Sequence, residues 1–232
     1  MIKATSEPQF VWFALRGWVG FGLKKRLNWI RNGHLRRRAV VTRYLAGHEE
    51  RKLHLGASFE IPGYLNSQIL GEAPIDITGP LPLPDRSFDL IYSSHLIEHV
   101  HRAQFAAFLR EARRVLKPGG INIIATPGLE SMCRHVYGES GEGAELLLAR
   151  SGEYYGEGDQ TGAHFFNLEF REFGHRFIYD TPIMRQMAQA AGYSACREVG
   201  NFDLPDPAIR DYLQSRKPPR WDVLTQTYLL TR

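Results

Sequence analysis

Three side chains near the middle of the chain, His95, Glu98 and His99, stand at the spacing HxxEH. On one helical turn, positions i, i+3 and i+4 share a face, so two imidazoles and a carboxylate can converge there. Imidazole titrates near neutral pH, and His95 can therefore take a proton from a reacting hydroxyl. The same groups could instead hold a divalent metal that lowers the pKa of a bound hydroxyl. A purely structural use is also open. Glu98 is favourable near a helix N-terminus, and His99 can brace a strand end.

The residues around them read as strand, loop, helix, turn and strand. Phe88 to Tyr92 is a short apolar run that ends in the polar Ser93, Ser94 and His95. From Arg102 to Leu116, apolar residues recur at Phe105, Phe108, Leu109, Ala112 and Leu116, the spacing of one helical face. Lys117-Pro118-Gly119-Gly120 is expected to stop that helix. Ile121 to Ala125 is a second apolar run of strand length. Two buried strands joined by a helix form a right-handed βαβ unit of a parallel sheet. Ligands of such sheets sit beyond the carboxyl ends of the strands, which is where Ser93 and His95 fall.

Several ordered motifs resemble the class I S-adenosylmethionine (SAM) dependent methyltransferases, and more narrowly a predicted methyltransferase family of polysaccharide-biosynthesis type (methyltransferase type 11-like). They are Leu53-His54-Leu55-Gly56, Pro62-Gly63-Tyr64-Leu65-Asn66, Leu81 to Asp89, and Ser94 to His99. A later element matches at Phe166-Asn167, Phe170-Arg171, Gly174-His175 and Tyr179-Asp180. The resemblance covers roughly residues 50 to 230. It implies an α/β class I methyltransferase (Rossmann-like) sandwich, mostly parallel, with an antiparallel C-terminal strand. It also implies SAM as cofactor, with Gly56, Ala57, Ser58, Gln68, Asp76 and Ser93 at the cofactor positions. Two of these depart from the family pattern. Ser58 stands where a second glycine is usual, and Gln68 where a carboxylate is usual. An amide forfeits charge-assisted bonds to the ribose hydroxyls, a loss of about 1–3 kcal/mol. The implied activity is methyl transfer to a hydroxyl of a small-molecule or carbohydrate acceptor. The departures keep a second reading in view: a catalytically degenerate domain acting as a binding or assembly subunit.

HxxEH is also similar to the ExxEH of small-RNA 2′-O-methyltransferases and ubiquinone-pathway O-methyltransferases, which bind a divalent metal. In the small-RNA enzymes a further histidine lies in a segment similar to Gly174-His175-Arg176-Phe177. The implied ligand set here is His95, Glu98, His99 and His175, suited to Zn, Mn or Fe rather than Mg. Without a metal, His95, His99 and His175 are the catalytic candidates, and Tyr179 and Asp180 are placed to orient His175. RNA methylation lacks an identifiable aromatic stacking platform, so nucleic acid is not the expected partner.

The rest of the chain bounds these readings. Its 232 residues and 43% hydrophobic content fit one α/β domain with an added segment. No apolar run spans a bilayer and no secretory signal is evident. Cys133 and Cys196 are the only cysteines, which argues against a disulfide framework and for a cytoplasmic setting. Residues 1–52 hold twelve Lys/Arg against three acidic residues, a net +9, leaving −5 for the remainder of a chain whose total is +4. The expected division is a basic aromatic N-terminal helical extension over 1–48, then a methyltransferase-like domain over 49–232. Residues 10–45 could form a packing helix, a lid, a homodimer contact or a face for the inner membrane surface. A glycine-rich insertion, about 131–165, reads as mobile. Strands are expected at Lys52–Leu55, Asn66–Leu70 and in the tail from Trp221 to Thr231. A helix is expected from Thr181 to Ala191, ended by Gly192.

Overall fold

A computed structural model describes residues 33–69, 71–138, 142–156, 158, 160–216 and 223–232. Its six strands are β1 (Lys52–Leu55), β2 (Tyr64–Ser67), β3 (Phe88–Ser94), β4 (Leu116–Pro127), β5 (Ala195–Val199) and β6 (Thr225–Thr231). They lie in the order β2-β1-β3-β4-β6-β5. The first four are parallel, and β6 runs antiparallel to both its neighbours. This is the mostly parallel α/β sandwich with an antiparallel C-terminal strand that the motifs imply.

The apolar strands are continuous rather than alternating because both faces of the sheet are covered. Leu53, Leu55, Ile91 and Ile124 pack on one side with helices α1 (His34–Gly47), α2 (Arg102–Val115) and α6 (Thr181–Ala190). Leu90, Tyr92, Ile123 and Leu229 pack on the other with Ile61 and with Ile209 and Leu213 of α7 (Pro207–Arg216). The periodic face of α2 is buried as expected, at Phe105, Phe108, Leu109, Ala112 and Val115. Its end differs. The helix stops at Val115, and Leu116 already pairs with Phe88. Lys117 to Gly120 therefore forms an irregular stretch inside β4, opposite the short step from Phe88 to Leu90, with Gly119 at φ 78°.

No helix links β1 to β2. The chain from Gly56 to Gly63 crosses one sheet face and is held by Asn66, whose Oδ1 accepts from the Ile61 N–H (3.0 Å). Its Nδ2 donates to the carbonyls of Ile61 (2.9 Å) and Tyr64 (3.2 Å). The second strand accordingly runs Tyr64–Ser67 rather than from Asn66 onward. The segment before β3 is pinned in a similar way. Arg114 donates to the carbonyls of Leu81 (2.9 Å) and Leu83 (3.0 Å), and Glu111 accepts from the Leu81 N–H (2.8 Å).

The expected mobile insertion holds helices α3 (Leu129–Tyr137), α4 (Glu142–Tyr155) and α5 (Gly162–Arg171). They order because Met132, Leu147 and Phe165 bury one another against Leu224, and Thr161 caps α5 by accepting from His164. Gly143 and Gly152 lie within α4, so their presence did not prevent a helix. Strand β5 has no apolar run to announce it, being an edge strand with mostly exposed residues. Of the expected N-terminal helix, residues 1–32 lie outside the described residues. The described part, α1, buries Val41 and Tyr44 in the core. The Tyr44 hydroxyl accepts from the Lys52 N–H and lies 2.8 Å from the Gly63 carbonyl. Cys133 and Cys196 are free thiols. No helix among the described residues is long and apolar enough to cross a membrane.

One ion pair fastens α7 to the sheet. Lys52 Nζ lies 2.8 Å from Asp206 Oδ2, and Asp206 Oδ1 accepts from the Ile209 N–H at 3.1 Å. Burial opposes ionisation of Asp206, but Lys52 and the Ile209 amide hold its carboxyl below the usual range. Its stabilisation is complete above the unfolded pKa of about 3.9 and is lost as pH falls through the lower folded value. Asp206→Ala is expected to lose about 1–2 kcal/mol at pH 7, because it removes the buried partner of Lys52, leaving only the exposed Glu50 at 2.8 Å, and removes a cap. Urea unfolding at pH 7 and near pH 3 checks this, with the gap from the parent narrowing at the lower pH.

Candidate functional site

β3 ends at Ser94, and the chain then turns sharply through His95, which has φ 51°. Only a single 3₁₀ turn follows, Ile97–His99, so HxxEH does not lie on one α-helical face as its spacing predicts. The His95 N–H donates to the Ala125 carbonyl (2.8 Å), tying this turn to β4. Ile97 and Glu98 are fully buried beneath it. Thr126 Oγ1 donates to Glu98 Oε2 (3.1 Å), while His95 Nδ1 and His99 Nε2 lie 3.4 and 4.0 Å from Oε1. Burial works against the Glu98 anion, but the His95 and His99 imidazoles outweigh it and hold the carboxyl below its ordinary range.

His175 reaches the same point from a distant segment. The Arg176 N–H donates to the Glu98 carbonyl at 2.6 Å, laying residues 174–177 beside the turn. His175 Nδ1 lies 2.5 Å from the Glu169 carbonyl oxygen. Only an N–H can face a carbonyl, so Nδ1 carries the proton and Nε2 keeps its lone pair. Burial is the main influence on this imidazole and pushes its pKa down, favouring the neutral form. The His99 and His175 ring centroids are 5.0 Å apart. Ligand atoms of Glu98, His99 and His175 lie within 4.8 Å of one another. His95 touches Glu98 but is not one of that trio, and its Nε2 lies 2.9 Å from Thr225 Oγ1.

Tyr179 and Asp180 do not orient His175 by any described hydrogen bond. Tyr179 is buried against Phe105, and Asp180 caps α6 by accepting from the Ile183 N–H. Glu169 does the orienting, through its main chain. Its side chain is also fully buried, with Oε1 2.8 Å from Arg150 Nε. Burial raises the Glu169 pKa against the pull of Arg150. Neither residue stood out in the sequence. Glu169 shares the buried face of α5 with Phe165 and Leu168 and is its one charged member, which only the folded helix reveals.

The cofactor candidates divide between two places. Gly56 has φ 70°, and a Cβ there would sit 3.0 Å from Leu96 Cδ1. Ser93 pairs across the sheet with Leu55, and its buried hydroxyl has no hydrogen-bond partner among the described residues. These two therefore adjoin the histidine turn. Ala57 and the exposed Gln68 instead line a cleft of about 670 Å³ between α1 and β2. Ser58 is exposed. Asp76 Oδ1 accepts from the N–H and hydroxyl of Thr78 at 3.0 and 2.7 Å, which closes a turn.

Residues 70–124 match the Methyltransferase domain family. The chain is 32% identical over 149 residues to a Mycolicibacterium smegmatis protein named "Probable S-adenosylmethionine-dependent methyltransferase". The match spans 56% of this chain and 56% of that relative. Among solved structures, an Archaeoglobus fulgidus SAM-dependent methyltransferase aligns with a TM-score of 0.44 at 12% identity, over 86% of this chain and 95% of that one. Haemonchus contortus phosphoethanolamine N-methyltransferase 2, in complex with S-adenosyl-L-methionine, aligns with a TM-score of 0.41 at 13% identity, over 86% and 52%.

The lowered pKa of His175 has a consequence for stability. Its unfolded form takes up a proton near pH 6.5 while the folded form resists, so stability declines as pH falls below about 6.5 toward the folded value. For one proton that slope cannot exceed about 1.4 kcal/mol per pH unit. His175→Gln is expected to flatten it. Urea titrations of both proteins at pH 7.5, 6.5 and 5.5 check the difference.

Proposed function

We propose that this protein is a SAM-dependent methyltransferase acting on a hydroxyl of a small-molecule or glycan-type acceptor. The observation that carries this reading is the imidazole of His175, whose Nδ1 is held by the Glu169 carbonyl and which has a ring nitrogen within 4.8 Å of ligand atoms of Glu98 and His99. The cofactor side fits. Gly56 allows close backbone approach where a side chain would meet Leu96, and the Ser93 hydroxyl lacks a partner. Gly56, Ser93 and Leu96 would hold the cofactor's near end, with Ala57 and Gln68 further along. Bound SAM would supply an electrophilic methyl group on its sulfonium.

The chain's own groups then have distinct tasks. His175 Nε2 accepts the proton of the acceptor hydroxyl as its oxygen becomes nucleophilic. The Glu98 carboxylate favours the imidazolium so formed, through a low-dielectric interior. Thr126 and His95 keep that carboxylate in place. Glu98, His99 and His175 also make a two-imidazole, one-carboxylate set that would accept Zn, Mn or Fe. A metal there would polarise the acceptor hydroxyl and replace the general-base role.

Two measurements test the reading. Calorimetric titration with S-adenosylhomocysteine is expected to give a micromolar Kd, and Gly56→Ala to weaken it at least tenfold. No binding by the parent protein would instead favour a binding or assembly subunit. Metal analysis of untagged protein separates the two hydroxyl-activating routes. A stoichiometric metal lost in His99→Ala and His175→Ala supports the metal. Its absence, with turnover indifferent to chelator, assigns the proton to His175.

A further inference from the structure

Apart from Leu35, every large apolar side chain left exposed among the described residues lies on α3 to α5 or the turn after α5. Part of this surface is a string of rings. Tyr155 meets Tyr154 edge-on (4.9 Å), Tyr154 meets Phe173 (5.8 Å), and Phe173 lies 5.9 Å from the His175 imidazole. The string therefore ends at the group assigned to take the acceptor's proton.

Phe173 is unusual within it. Its φ of 56° is left-handed, a conformation uncommon for any residue with a side chain and an outlier for a bulky one. Strain of this kind persists where the surroundings enforce it, and it clusters at ligand sites. Phe173 and Gly174, both with positive φ, form the middle of a turn closed by the His175 N–H donating to the Glu172 carbonyl (3.2 Å), and the phenylalanine held there remains 45% exposed. Its mount is specific, however. The Arg150 guanidinium sits 4.7 Å from the ring centroid, and the same Arg150 pairs with Glu169 at 2.8 Å. The residue that fixes Glu169 beside the histidine thus also fixes the exposed ring.

We propose that Phe173 is the stacking platform for the acceptor, and that the acceptor is a hydroxyl-bearing six-membered ring. This rests on the reading of His175 above. An exposed phenyl face is complementary to a flat apolar face, whether the C–H face of a sugar or an aromatic ring. A ring stacked there carries its hydroxyls at its rim, and the His175 imidazole, 5.9 Å from the Phe173 ring, would meet one of them. A phosphate or an open aliphatic chain gains little from such a platform. Phe173 would act on acceptor affinity and choice, leaving cofactor binding to Gly56 and Ser93.

The test uses the full chain, with S-adenosylhomocysteine present, and the variants Phe173→Gly and Phe173→Trp. Methyl α-D-glucopyranoside and catechol serve as ring probes in saturation-transfer NMR and titration. Wild type is expected to bind at least one probe by its ring protons, Phe173→Gly to lose tenfold or more of that affinity, and Phe173→Trp to retain it. Binding of the glycoside alone identifies a sugar face, and binding of catechol alone a phenolic one. Phe173→Gly is also expected to melt at the same or a higher temperature, since glycine adopts φ 56° freely. The proposal is overturned if neither probe binds wild type, if Phe173→Gly binds as well, or if it melts lower and so marks the ring as packing. Loss of S-adenosylhomocysteine binding by wild type would strike the methyltransferase reading instead, and the probe and melting results would stand separately.

Discussion

A carboxylate with no solvent contact, Glu98, sets the terms for the middle of this molecule. Removing such a charge from water costs several kcal/mol unless neighbours compensate. The compensation here comes from separate strands. β4 supplies Thr126, the exit from β3 supplies His95, and β6 supplies Thr225 to the far side of the His95 ring. The antiparallel direction of β6 matters for this. Thr225 is its first residue, paired with Pro127 at the end of β4, so reversal of the strand brings its start to the carboxyl ends of the others. The left-handed turn at His95 belongs to the same arrangement, since it places the imidazole between carboxylate and hydroxyl.

Two buried carboxylates then face one cluster of imidazoles with opposite tendencies. Glu98 is held toward the anion by histidines, while Glu169, more weakly compensated, is pushed toward the neutral acid. The Glu98 charge further disfavours a charge on Glu169.

The sheet and its central helix were legible because their signals are local. Apolar runs at Phe88 and Ile121, the periodic face of α2 and the glycine after α6 need no knowledge of the rest of the chain. Legibility failed where the deciding partner is distant in sequence. Asn66 replaces a connecting helix by bonding to Ile61, and glycine content could not show that Leu147 and Phe165 would bury each other. Within the site, HxxEH drew attention to the right turn but misjudged its geometry, because His95 lies outside the single 3₁₀ turn. Glu169 was hidden by its chemistry. A glutamate on a helix reads as solvated until the burial of Phe165 and Leu168 beside it is known.

Helices α3 to α5 bury their apolar residues in a cluster distinct from the two that flank the sheet. Such a unit can open as a foldon while the strands stay protected. The carbonyl that selects the His175 tautomer belongs to α5, so each opening releases the Nδ1 proton from its partner. The identity of the basic nitrogen in this imidazole is therefore coupled to local folding, and exchange of the α5 amides and the tautomeric state of His175 report one equilibrium.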